Sequence, residues 1–231
     1  MCLFAGLLML ASLTASCTGR DVEVVFYVSD GYTFSREEQQ TIETLVQEAV
    51  RTTKPLLPEL PTPLIVRVNP GQKVMEETGQ TGTFSLPNVV YWNVDPTEFG
   101  GVEAIANRQL RSTLMHEPHH LVRASRLRTA SIMDHVVSEG LATAFERDFG
   151  NAPTPWGTYP ANTSEWLQEL MALPPDAPRD QWLSRHPDGR RWIGYRAGTY
   201  LADRAMRASG KSAAELVSVS TAGILELAHA R

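Results

Sequence analysis

Between Thr113 and Arg123 the chain reads TLMHEPHHLVR, with three histidines, a glutamate and a proline in five consecutive positions. His116 and His120 stand four residues apart, and Glu117 follows the first of them, giving the pattern H-E-x-x-H. On a helix, positions i and i+4 share one face, so both imidazoles can reach a single ion while the neighbouring carboxylate lies beside an open coordination position. A zinc ion held this way needs a third protein ligand and leaves a place for water. The folded region has no thiol to offer, because both cysteines, Cys2 and Cys17, fall at the N-terminus; the metal must be bound by His, Asp or Glu. Glu139 is the candidate. It stands in the middle of SIMDHVVSEGLATAFERDFG, which reads as an amphipathic helix with Ile132, Val136, Leu141, Ala144 and Phe145 on its apolar face. An ionised carboxylate there is costly unless it is paired, exposed or metal-bound, so a partner such as Arg123 or Arg147 is the competing reading. His119 projects around the helix from His116 and His120 and is expected in a structural or supporting role. The basic residues flanking the motif read as a solvated face.

Several elements must position these groups. DVEVVFYVSDG has the β-branched and aromatic enrichment of a strand. SREEQQTIETLVQEAVRTTKPLLP follows as a helix: Ser35 and Glu38 form a capping box, Ile42, Leu45, Val46 and Ala49 recur at helical spacing, and Pro55 ends it. PLIVRVNPG is a second strand closed by a turn. GQTGTFSLPNVVYWNVDP contributes a β-run from Val89 to Val94, with Pro87 pointing to a bulge or an edge strand. From about Gly101 onward helical sequence dominates, broken by the loop GNAPTPWGTYPANTS and by LPPDAPRD. Strands with helices in the first half and helices alone in the second give an α+β class with a mostly helical C-terminal half.

The segment MCLFAGLLMLASLTASC is apolar, ends in small residues and is too short for a comfortable membrane span. Residues 1–18 are therefore expected to be an export leader, and LTASC is similar to a lipoprotein processing box that would lipidate Cys17 and tether the protein to a membrane of the cell envelope. Residues 19–231 are expected to form a single domain. A chain of 231 residues with 42% hydrophobic and 20% charged residues is ordinary for a globular protein. Its net charge of −5 and scattered basic residues offer no footprint for nucleic acid.

The residues HEPHH, MDHVVSEGLATAF and the later Gly194-Tyr195 together resemble the gluzincin metallopeptidases, and more closely a family of predicted zinc-dependent proteases that pair an H-E-x-H-H helix with an S-E-G-L-A helix. The resemblance spans roughly residues 82–205. It implies a zincin-like fold, His116, His120 and Glu139 as zinc ligands, Glu117 as general base, and a peptide or protein substrate. It further implies that PNVVYWNV is the edge strand along which an extended peptide lies. Two positions depart from the pattern. Many gluzincins carry Asp four residues after the ligand Glu to orient a zinc histidine, and here Thr143 stands there, leaving Asp134 or Glu146 as the replacement. Pro118 should clash with the Leu114 carbonyl and either kink the helix or mark its first turn.

The expected activity is hydrolysis of peptide bonds by a zinc-activated water, with Glu117 moving the proton and Tyr195 stabilising the oxyanion; His186 and Arg196 are the alternatives for that last role. A non-catalytic binding or chaperone-like envelope protein on a degenerate zincin fold is the alternative, and a zinc hydrolase of some non-peptide amide would use the same ligands.

Overall fold

The computed structural model describes residues 21–29, 31–174 and 177–229, so the leader expected at 1–18, with Cys17, lies outside the described residues. Strand β1 (Val22–Phe26) leads into helix α1 (Arg36–Leu56), followed by β2 (Leu64–Pro70), β3 (Gln80–Ser85) and β4 (Val89–Val94). The remainder is helical: α2 (Gly101–Ile105) passes through a π-helical turn at Ala106–Leu110 into α3 (Arg111–Arg126), and α4 (Ile132–Phe149), α5 (Thr163–Met171), α6 (Arg179–Leu183), α7 (Ile193–Ser209) and α8 (Thr221–His229) follow. The class is mixed α+β, as expected.

The strands lie in the order β1-β2-β4-β3, with β1, β2 and β4 parallel and β3 antiparallel to β4. This corrects one expectation. PNVVYWNV is an interior strand, and the edge beside the H-E-x-x-H helix is β3, QTGTFS. The reason is a reversal at residues 85–88, where Pro87 sits in the turn joining β3 to β4 rather than in a bulge. Alternation then sorts the faces. Leu64, Val66 and Val68 of β2 and Val90, Trp92 and Val94 of β4 are buried under α1 and α3, while Ile65, Arg67, Tyr91 and Asn93 form the other face.

Helix α1 begins with the capping box read from the sequence: Glu38 N–H donates to Ser35 Oγ at 3.1 Å and Ser35 N–H to Glu38 Oε2 at 2.7 Å. Its buried face, Ile42, Val46, Ala49, Val50 and Thr53, packs on β1 and α3. Helix α4 starts with the same device, Ser131 and Asp134. It packs on α3 and on α7, and α8 packs on α7. At the α4–α7 crossing Gly140 meets Gly198: a Cβ built on Gly140 would lie 2.0 Å from the Gly198 carbonyl carbon, and one on Gly198 2.0 Å from the Val136 carbonyl oxygen. Only two glycines allow backbones this close.

Candidate metal centre

Helix α3 carries the motif through Pro118 without interruption. Pro118 stands inside the helix rather than in its first turn and does not break it, and a neighbouring helix offers a partner for the carbonyl it frees. Proline removes the N–H that would bond the Leu114 carbonyl, and the hydroxyl of Thr53, fully buried on α1, lies 3.3 Å from that oxygen while also 2.9 Å from the carbonyl of Ala49. The freed acceptor is thus met by a side chain rather than left orphaned. His116 and His120 keep the same face, with ring centroids 4.7 Å apart.

Three ligand-type atoms converge at this face. His116 Nε2 and His120 Nε2 are 3.0 Å apart, and Glu139 Oε2 from α4 lies 3.2 Å from the first and 3.1 Å from the second. The competing partners of Glu139 are engaged elsewhere: Arg147 makes a two-pronged pair with Asp203 at 2.8 and 3.1 Å, and Arg123 donates to the carbonyls of Val217 and Val219. Arg123 is buried, and its pKa is lowered to about 10 by that burial, so the basic flank of the motif is in part a structural clamp and not the solvated face expected.

The second ring nitrogens are also held. His116 Nδ1 lies 3.0 Å from Glu146 Oε2, and His120 Nδ1 lies 3.0 Å from Ser138 Oγ. Glu146 is placed to accept from His116 Nδ1–H; in the neutral ring this leaves the lone pair on Nε2, facing the cluster, the tautomer that metal binding there would need. Burial by itself lowers the pKa of His116, but the carboxylates of Glu139 and Glu146 outweigh it and raise the pKa well above the ordinary histidine value. For Glu139, burial is likewise outweighed by the two histidines, and its carboxyl is held far below the usual carboxylate range. Two imidazole nitrogens and a carboxylate oxygen this close to one another could hold a shared cation between them. The donor set suits zinc.

Glu117 is buried between α3 and β3, and among the described residues no side chain or backbone group donates a hydrogen bond to it. Burial raises its pKa. Strand β3 faces it through three alternate residues. The Gln80 side-chain oxygen accepts from Thr113 Oγ1 and from the Trp92 indole, both at 3.0 Å; Gly82 leaves room for Glu117; and Phe84 stacks on His120 with centroids 5.5 Å apart. Tyr195, in the first turn of α7, stacks near His116 at 6.3 Å; burial and then the charge of Glu139 raise its pKa well above the ordinary tyrosine value. Behind it stand Trp156 and Trp192, with Trp192 in the left-handed backbone region at φ 60°.

Other candidates fall elsewhere. His186 pairs with Asp188 at 2.8 Å and packs on Trp182, and Arg196 donates to the Pro155 carbonyl at 2.9 Å. Of the two replacements for the missing aspartate, Asp134 caps α4 and Glu146 reaches His116; the hydroxyl of Thr143 is buried without a partner. His119 is fully buried, 3.2 Å from the carbonyl of Ala213, a structural position as expected. Sequence reasoning did not find Gly82, Phe84, Ser138 or Trp156. A glycine inside a Thr- and Phe-containing run bounded by Gly79 was the available signal for close backbone approach at β3.

Neither a curated protein nor a solved structure matches the chain. A family model does, over residues 36–226, and its description is "Predicted Zn-dependent protease (DUF2268)". The match takes in every strand of the sheet but β1 and all the groups converging on the metal centre, and the chain therefore belongs to this family of predicted Zn-dependent proteases.

Proposed function

We propose that this protein is a zinc metallopeptidase of gluzincin type in which His116, His120 and Glu139 hold the metal, Glu117 is the general base and Tyr195 stabilises the oxyanion. The observation that carries the reading is the convergence of two imidazole Nε2 atoms and one carboxylate oxygen beside a buried glutamate that no group among the described residues engages. A bound zinc would acidify a water and polarise the scissile carbonyl. Glu117, its pKa raised by burial, takes the proton of the attacking water and returns it to the leaving amine. Tyr195 stays protonated and donates a hydrogen bond to the carbonyl oxygen as charge grows on it. The substrate is a peptide whose backbone pairs with the free edge of β3, bringing its scissile bond between Gly82 and Tyr195.

The test is metal content and proteolysis together. Wild type should carry close to one zinc, His116→Ala and Glu139→Ala should lose it, and Glu117→Gln should keep the zinc while losing cleavage of a casein or a peptide library. A zinc-loaded wild type that cuts no peptide but hydrolyses small amides would move the substrate class. A wild type that takes up no zinc would replace the reading with a non-catalytic binding protein.

The leader sequence supports export of a single domain and a lipid tether at Cys17. Partition of the full chain into membranes, abolished by Cys17→Ala, tests it; recovery of both forms in the soluble fraction overturns it.

A further inference from the structure

The carboxylate that orients His116 is itself held from outside the helix pair. Glu146 stands seven residues after Glu139 on α4, two turns along the same face, and its Oε2 accepts from His116 Nδ1 at 3.0 Å. The same oxygen lies 3.4 Å from the indole Nε1 of Trp156. Trp156 belongs to the segment between α4 and α5, which from composition alone could have been a lid or a plain connection. It is pinned on either side of Trp156: Arg196 donates to the carbonyl of Pro155 at 2.9 Å, and Tyr159 donates to Asp203 at 2.8 Å. The indole is 5% exposed and Glu146 4%, so their contact is dry, and a buried indole N–H has need of an acceptor. Thr143, one turn nearer the metal ligand, offers neither histidine a bond.

We infer that Trp156 is a positioning residue for the metal centre, fixing through Glu146 the tautomer and tilt of His116, and that the segment carrying it is a fixed wall of the site rather than a lid. The inference rests on the zinc-site reading above. A partner behind a ligating histidine raises ligand basicity and holds the ring in line, and its loss typically costs 10- to 100-fold in metal affinity. Trp156 acts one step further out, and only through Glu146.

The test is a double-variant cycle read by competition for zinc with a chromophoric chelator and by the visible spectrum of the cobalt-substituted protein. Trp156→Phe keeps most of the packing and removes the donor; Glu146→Gln is close to isosteric. Glu146→Gln is expected to weaken zinc binding by roughly 10- to 100-fold. Trp156→Phe is expected to weaken it by a few-fold to about tenfold with a shifted cobalt spectrum, and the double variant to be no weaker than Glu146→Gln alone. Tyr159→Phe, which loosens the same segment but keeps the indole donor, should lower thermal stability and weaken zinc binding less than Trp156→Phe does. In the zinc-loaded wild type the Trp156 indole proton should move upfield on Glu146→Gln, a readout that needs no tryptophan variant to fold. Unchanged affinity in Trp156→Phe, additive losses in the double variant, or an unmoved indole proton, with zinc still bound by wild type, overturns the positioning role and leaves the metallopeptidase reading standing; a wild type that takes up no zinc overturns both.

Discussion

Gly82 of the edge strand lies directly against the carboxylate of Glu117: a Cβ added at Gly82 would stand 2.7 Å from Glu117 Oε1 and 2.5 Å from Thr113 Cγ2. The absence of a side chain on β3 is what gives Glu117, the proposed general base, its place. Gly82→Ala should therefore displace Glu117 while leaving the three metal ligands alone. We expect peptidase kcat to fall on the order of 10²-fold, as for a catalytic group moved by about an ångström, with zinc content unchanged. Steady-state kinetics beside metal analysis checks this, and wild-type kcat in the variant would remove Glu117 from its assigned role.

The Gly140–Gly198 contact sets the distance between α4 and α7, and so the distance between Glu139 and Tyr195, which stand one residue and three residues from it. The atoms a new methyl would meet are backbone, so no rotamer change relieves the clash. Gly198→Ala is expected to cost about 1–3 kcal/mol or more by overpacking. Urea unfolding measures this; an unchanged midpoint would show that the helices can slide apart freely.

Thr53 and Pro118 should be coupled although they lie on different helices. Thr53→Val leaves the Leu114 carbonyl without a donor, at a cost of about 1–3 kcal/mol for a buried acceptor. In a Pro118→Ala background the helix N–H returns to that carbonyl, and the cost of Thr53→Val should shrink. Equal costs in both backgrounds, measured by denaturant unfolding, would mean that the Thr53 hydroxyl serves only Ala49 of its own helix.

Asp134 links the start of α4 to α8, accepting from Ser131 N at 2.9 Å and from Thr221 Oγ1 at 2.5 Å. Burial is the largest single influence and raises its pKa, but the hydrogen bonds to the ionised form from Thr221, Ser131 and Ala130 together prevail and hold it below the ordinary value of 3.8. A depressed folded pKa means that the stabilisation is present above the unfolded value and is lost as pH falls through the folded one. Asp134→Ala should cost about 1 kcal/mol at neutral pH, typical of a lost N-cap contact. That deficit should narrow as pH drops below about 4. Thermal melts from pH 7 to 3 check the sign, and a deficit that widens in acid would be the contrary result.

The sequence by itself determined the parts that depend on local rules. The i, i+4 spacing of His116 and His120 put two imidazoles on one face, Ser35 with Glu38 started α1, and a glutamate in the apolar α4 marked Glu139. Tertiary structure decided the rest, because those contacts join residues that sequence spacing does not relate. QTGTFS became the edge strand only because β4 had both sides taken, by β2 and by β3. The carbonyl that Pro118 leaves without its helix N–H lies beside a hydroxyl from another helix, some sixty positions upstream. The carboxylate behind His116 was one of two left open, and the choice of Glu146 over Asp134 came from the antiparallel packing of α3 on α4, which sets one beside the histidine and the other at the helix start. Trp156 was one of five tryptophans with nothing in its flanks to single it out. Its place behind Glu146 follows from where the chain runs after α4, and that path is fixed by contacts to α7 which no local pattern encodes.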